Sequence, residues 1–214
     1  MQIEIATRLA LLATKFDVFI LDIWGVLMDG MAPYPGAIEC LQEIRGIGKR
    51  VILLSNAPRR ASLVTERLRS IGIPPTLYDQ ILTSGEASRS ALAERTESHI
   101  AALGRQYFYI GPSRDQGLLK GLDYDCTSNL NKADFVLATG VIDDTDELDR
   151  YEADLQTAAA NQIPLICTNP DSIVVRQNGD RVICAGAIAR KYQKIGGTAH
   201  YFGKPHATFY QTCL

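Results

Sequence analysis

Cysteine is scarce in this 214-residue chain: five residues, Cys40, Cys126, Cys167, Cys184 and Cys213, stand far apart, odd in number and without a CxxC pair. That spacing argues against a disulfide framework or a zinc site and suits a reducing compartment. Long hydrophobic runs are missing too. Val18 to Leu21 and Val51 to Leu54 are far shorter than the ~20 apolar residues a membrane-spanning helix needs. The opening MQIEIATRLALLATKF has no basic leader and puts Glu4 and Arg8 where a signal peptide is apolar, so it predicts an amphipathic helix packed on a cytoplasmic domain. Nor is there a surplus of positive charge. With 22 Lys and Arg against 24 Asp and Glu, net −2, and no dense basic block, neither nucleic acid nor membrane is an expected partner. His99, His200 and His206 form no HxxxH-type pair. No GxSxG marks an α/β-hydrolase nucleophile, no GxGxxG follows the first strand, and Gly203-Lys204 lacks the glycine spacing and the Ser/Thr of a P-loop.

Hydrophobic residues at 46% and charged residues at 21% describe an ordinary globular chain, long enough to bury roughly 70% of its unfolded surface without disulfide or structural metal. DVFILD predicts a buried parallel strand ending in an acid. PGAIECLQEIRGIG sets Ile38, Leu41, Ile44 and Ile47 on one helical face and closes on glycine. RVILLSN and RRASLVTERLRSIGIPP repeat the strand and helix, with Val64, Leu68 and Ile71 aligned, and DQILTS is a third strand. Three βα units imply a parallel sheet with helices on both faces and ligands at the carboxyl ends of the strands.

From about Gly85 the texture changes. EASRSALAERTESHIAAL predicts one longer helix, QYFYIG a strand whose Tyr107, Phe108 and Tyr109 fill the core, and the polar stretch to Asn131 a loop. ADFVLATG, a helix around DTDELDRYEADLQTAAAN, and IPLICTNPD follow. SIVVRQNGDRVI predicts a hairpin turning at Asn178-Gly179, AGAIARKYQKIGG a helix, and AHYFGKP a last strand. A second α/β module thus lies between Ser84 and about Gly197, after which the chain returns to the first.

Asp22 stands at a strand end with Gly25 three residues on. Such a carboxylate suits a nucleophile attacking phosphorus, and backbone amides exposed by the glycine suit the phosphoryl oxygens. The other reading is an acid that caps the loop. Ser55-Asn56 ends the second strand and offers a hydroxyl and an amide to an anion; Lys204 follows the last strand and can neutralise it. Singly, Ser55 reads as a helix N-cap and Lys204 as a solvated lysine; in the order Asp, Ser, Lys, each at a strand end, they point to one site. Asp143 to Glu147 precede Lys204 and begin a helix, where acids complement the dipole. Asn169 and Asp171, in Thr168-Asn169-Pro170-Asp171, form a turn or a substrate loop, and both readings stand.

DIWGVLMDG with PGA at Pro35 to Ala37, LLSNAPR and YFGKP are similar to motifs I, II and III of the haloacid dehalogenase (HAD) superfamily. The chain resembles its class IIA, NagD-like sugar-phosphatase branch over essentially its whole length. CTNPD and CAGAIARKY…GG resemble that branch's cap. The resemblance implies an α/β fold with a Rossmann-like parallel-sheet core in residues 1–84, an inserted α/β cap in 85–197, and a core return segment in 198–214. It implies a Mg²⁺-dependent phosphatase acting on a small phosphate ester, such as a sugar phosphate, through an aspartyl-phosphate. Asp22 would be the nucleophile and a metal ligand, the backbone carbonyl of Trp24 a second ligand, Ser55 the phosphoryl clamp and Lys204 the charge stabiliser. Gly25, Asn56, Arg59, Asn169 and Asp171 would face the substrate.

Two departures qualify this. The family's second aspartate, which protonates the leaving oxygen, is Trp24 here, and indole exchanges no proton near neutral pH. Only ten residues, none acidic, follow Lys204, so the acid of the family's fourth motif is not among them. The chain then reads as a fragment or truncated product whose exposed sheet edge favours homo-oligomers. The alternative to an enzyme is a catalytically impaired protein that binds phosphate or sugar phosphate.

Overall fold

The strand Arg50–Ser55 (β2) is almost unbrokenly apolar because it lies between two neighbours. In the computed structural model, which describes residues 9–176 and 179–212, β2 is flanked by Val18–Asp22 (β1) and Gln80–Thr83 (β3). Strands β1 and β2 are parallel, and only the first residue of β2 is exposed, as expected for a strand covered on both faces. Helices Leu9–Ala13 (α1), Ala37–Gly46 (α2) and Ala61–Ser70 (α3) accompany this sheet. Phe19, Leu41, Ile44, Val51, Leu53, Leu68 and Ile73 share one core, with Ile38, Val64 and Ile71 packed on it. Ile47, predicted on the buried face of α2, caps that helix and is exposed. Of the opening helix, residues 1–8 lie outside the described residues.

The second sheet has five parallel strands in the order β10-β7-β6-β4-β5: Ala199–Tyr201, Leu165–Cys167, Phe135–Ala138, Gln106–Ile110 and Asp125–Thr127. Its central strand shows the two-residue alternation of a pleated sheet. Phe135 and Leu137 enter a cluster with Leu92 and Ile100, while Val136 and Ala138 enter another with Leu155, Ile188 and Tyr192. Around it lie Ser84–Glu94 (α4), Ser98–Ala101 (α5), Glu152–Ala160 (α6), Ala185–Lys194 (α7) and Ala207–Gln211 (α8). Ile173–Val175 (β8) and Arg181–Ile183 (β9) make the antiparallel hairpin. Gly179 has the positive φ, 86°, that its turn requires, and Asn178 lies outside the described residues.

Three sequence expectations are corrected. The long helix after Gly85 breaks into α4 and α5 at Arg95, which takes a left-handed φ of 52°. Its guanidinium donates to Tyr124 Oη at 2.7 Å, to the Ala101 carbonyl at 2.8 Å and to the Leu103 carbonyl, so tertiary hydrogen bonds override helical continuity. Strand β5 lies in the stretch expected as loop; it is only three residues long, two of them, Asp125 and Thr127, polar, and it forms a sheet edge. Third, Ala199–Tyr201 extends the second sheet instead of returning to the first. Leu165 N–H donates to the Thr198 carbonyl at 2.9 Å and Phe202 N–H to the Cys167 carbonyl at 3.0 Å, continuing the ladder at both ends.

The chain thus divides into two compact units: the described residues of Met1–Ser55 with Ser62–Leu82, and those of Asn56–Ala61 with Thr83–Leu214. In the second, the buried Tyr192 hydroxyl donates to the Ile163 carbonyl at 2.5 Å. Tyr192→Phe should therefore cost about 1–3 kcal/mol by leaving a buried carbonyl without its donor, read as a lower urea midpoint; an unchanged midpoint would mean that carbonyl finds another partner.

Candidate functional site

In the first unit, Asp22 and Ser55 are the last residues of adjacent parallel strands. The register pairs Asp22 with Leu54, so Ser55 stands one residue further along its strand, at the same carboxyl edge. Ser55 is buried and Asp22 half-buried. The N-cap reading of Ser55 does not hold, since α3 begins six residues later. Asp22 Oδ1 accepts from Ile23 N–H at 2.7 Å. The loop that follows turns on itself: Leu27 N–H and Met28 N–H donate to the Ile23 carbonyl at 2.9 and 3.1 Å, and Gly25 N–H donates to the Met28 carbonyl at 2.8 Å. Gly25, at φ 80°, supplies the left-handed turn that favours glycine. Its amide is engaged in that turn, where the sequence suggested an anion donor.

Trp24 lies across Gly30, whose Cβ, if present, would sit 2.2 Å from the indole ring. Arg67 Nη2 donates to the Gly30 carbonyl at 2.9 Å, and Asp29 Oδ1 accepts from Met31 and Ala32 N–H at 2.7 and 2.8 Å. The loop after the Asp22 strand is therefore pinned by its own backbone, by the Asp29 carboxylate and by Arg67. Its hard oxygens, the Asp22 carboxylate and the Trp24 carbonyl, are the donor type that Mg²⁺ takes. Among the described residues no cluster of three His, Cys, Asp or Glu offers another ion site. Asp143 to Glu147 form a turn ahead of α6, in which Asp146 Oδ2 accepts from Asp143 N–H at 2.9 Å and from the Tyr151 hydroxyl at 2.6 Å.

In the second unit, Asn56 draws together three segments distant in sequence. Its Nδ2 donates to Asp171 Oδ1 at 2.9 Å and to the Lys204 carbonyl at 3.1 Å, while its Oδ1 accepts from Lys204 N–H at 2.7 Å. Asn56 and Asp171, expected at the substrate, are thus bonded to each other. Asn169 Oδ1 accepts from Asp171 N–H at 3.0 Å, a local bond of the kind that Asn makes in loops. Ser84, which sequence reasoning missed, is fully buried and donates to the Thr168 and Ala57 carbonyls at 2.5 and 3.1 Å. Burial pushes the thiols of Cys167 and Cys184 up to about 12, too high for a nucleophile.

Arg59 is paired where the sequence gave no warning. Its Nε donates to Asp115 Oδ1 at 2.6 Å, with the Asp115 side chain only 2% exposed. Arg114 Nε lies 3.9 Å from Asp115 Oδ2, and Arg114 and Arg176 both reach Asp144. Burial raises the Asp115 carboxyl above the ordinary carboxylate range against the pull of both arginines. Gly111-Pro112-Ser113-Arg114-Asp115 reads as a strand-end loop; the one available signal was an acid just beyond a strand's carboxyl end.

A parallel sheet with a carboxylate and a hydroxyl on adjacent strand ends, followed by a second α/β module, defines a Rossmann-like α/β scaffold with an insertion. The sequence profile described as haloacid dehalogenase-like hydrolase matches residues 19–125. A haloacid dehalogenase-like hydrolase from Brucella suis 1330 superposes with TM-score 0.87 at 33% identity, covering 98% of this chain and 74% of that one. The chain belongs to the haloacid dehalogenase-like hydrolase family. A glycerol phosphate phosphatase from Mycobacterium tuberculosis, solved in complex with magnesium, shares the fold with TM-score 0.69 at 20% identity, over 94% of this chain and 59% of that one. A 4-nitrophenylphosphatase of Schizosaccharomyces pombe is 45% identical over 42 residues, which span 20% of this chain and 14% of that protein.

The raised Asp115 carboxyl has a pH signature. The folded chain binds that proton more tightly than the unfolded chain, so its contribution to stability is full below the ordinary range, about pH 4, and is lost as pH rises through the higher folded value. The stability of the wild type relative to Asp115→Asn, measured by urea unfolding, should fall over that window and then level. A difference that grows with pH would mean that pairing with Arg59 outweighs burial.

Proposed function

We propose that this chain hydrolyses small phosphomonoesters, sugar phosphates or similar, by transient phosphorylation of Asp22 with Mg²⁺ as metal. The observation that carries the reading is the placement of Asp22 and Ser55 at the carboxyl edge of two adjacent parallel strands, Ser55 one residue beyond the partner of Asp22. The first unit serves as catalytic core and the second, from Thr83 on, as cap. No described helix is long and apolar enough to cross a membrane, and we assign the activity to the cytoplasm.

An Asp22 oxygen attacks phosphorus, the bond from phosphorus to the ester oxygen breaks, and the leaving oxygen departs with its electron pair. Water then attacks the acyl phosphate, releasing inorganic phosphate and the free carboxylate. Ser55 holds a phosphoryl oxygen, and Lys204, its backbone set by Asn56, offsets the accumulating charge. We assign Arg59 to substrate binding. The Asp22 carboxylate and the Trp24 carbonyl would hold Mg²⁺, with water and phosphate oxygens completing its shell; when bound, it shields the nucleophile from the anionic ester. Trp24 provides no proton to the leaving group, so esters whose leaving oxygen is stable as an anion are favoured. A second reading, phosphate binding without turnover, draws on the same residue, because the indole already fills its place over Gly30.

With Mg²⁺, the protein should hydrolyse 4-nitrophenyl phosphate faster than an alkyl phosphate by roughly the 10²–10⁴-fold that general acid help supplies. Asp22→Asn should lower the aryl rate by at least about 10³-fold, and Trp24→Asp should raise the alkyl rate. Equal, fast rates on both esters would refute the role given to Trp24, and saturable phosphate binding with no product release would favour the second reading.

A further inference from the structure

Two histidines that the phosphoryl chemistry leaves unused meet ring to ring in the second unit. His99, in α5, and His200, in β10, stack with ring centroids 4.1 Å apart and planes 17° from parallel. Both residues are half-buried. Strand β10 is an edge of its sheet, next to β7, and His200 is in register with the buried Ile166. Phe202, two residues on where the ladder continues, lies on the same face of the strand and packs in one cluster with Ile100 and Leu103. The stack thus joins α5 to an edge strand from the side on which that helix packs.

Charge decides whether the stack lasts. Two imidazoles of which at least one is neutral can lie face to face. Two imidazolium ions at this distance repel, and their separation is far below the Debye length, so salt screens them little. Glu97 Oε2 lies 3.7 Å from His99 Nε2 and can compensate one proton there. Arg95, whose guanidinium donates to the Ala101 and Leu103 carbonyls, adds positive charge at the carboxyl end of α5. One carboxylate therefore stands against two rings that each accept a proton. Burial first, and then the charge of His99, hold the His200 imidazole below its ordinary range against the pull of Glu97. The unfolded chain binds that proton more readily than the folded one. The contribution of the neutral ring to stability is then present above about pH 6.5 and is lost as pH falls through the lower folded value.

We propose that His99 and His200 form an acid-sensitive latch on the β10 edge: with at least one ring neutral the stack holds α5 to β10, and with both protonated the rings separate and β10 opens. Because β10 runs directly into Gly203 and Lys204, its opening loosens the segment that Asn56 clasps. The latch belongs to this unit alone and stands whether or not the phosphatase reading does.

Hydrogen exchange of the full chain tests it, corrected for the intrinsic pH dependence of exchange, with the amides of residues 199–202 compared with those of Phe135–Ala138 in β6. From about pH 8 to about pH 5, the span over which histidine changes charge, the β10 amides should lose at least about fivefold in protection relative to β6. That is the least that two unit charges about 4 Å apart produce even in bulk water. His200→Phe keeps a stacked ring without its charge and should abolish the response. His206→Phe, at the ring that stacks on Tyr201, should leave it in place. An unchanged ratio in the wild type, a loss shared equally by β6, a response that persists in folded His200→Phe protein, or one that follows His206 instead, would each overturn the proposal. The first two are read on the wild type and decide even if a variant fails to fold.

Discussion

The Asn56 carboxamide donates to Asp171 and to the Lys204 carbonyl while accepting from the Lys204 amide. Only an amide side chain can do all of this from one planar group, since it carries donors and an acceptor side by side. The residue is buried, so each of these bonds replaces water that cannot enter, and losing one would leave a partner unpaired. The neighbours are built to the same tolerance. A side chain at Gly203 would come within 2.6 Å of Asn56 Oδ1 and 2.9 Å of the Ser84 Cβ, and the Ser84 hydroxyl ties Ala57 and Thr168 together. The position of Lys204 therefore depends on a residue 148 positions away.

That dependence explains which parts of the molecule could be read from its sequence. Strands announce themselves because apolar β-branched runs between turn residues have few other fates, and β1, β2, β4, β6 and β7 all fall on such runs. Asp22 and Ser55 were legible because they end two of those runs. The break at Arg95 and the edge strand Asp125–Thr127 were not, since both are set by partners outside their own segment: the Ala101 and Leu103 carbonyls and Tyr124 for Arg95, and β4 for the strand. The Asn56–Asp171 and Arg59–Asp115 pairs fall in the same category. Sequence assigns residue types to loops, and only the fold decides whether a loop carboxylate faces a ligand or an arginine.

Trp24 shows chemistry and packing decided together. The family resemblance called for an acid there; the indole instead lies on Gly30, and Gly30 has φ 97°, which favours glycine for conformational reasons as well. The carbonyl of the same residue remains a hard oxygen whatever the side chain. A substitution at this place can thus change the acid–base character of the side chain while the backbone oxygen stays as it was.

Gly85 carries a consequence for reading relatives of this protein. It sits in the first turn of α4 with no side chain between the helix and the Pro58–Arg59 backbone, so a single hydrogen atom sets how near that backbone can come. A homologue with alanine or anything larger at the equivalent place must route the peptide differently, and its arginine, even if aligned, would point from another origin. The smallest residue in the segment is therefore a better marker of a shared guanidinium placement than the arginine itself.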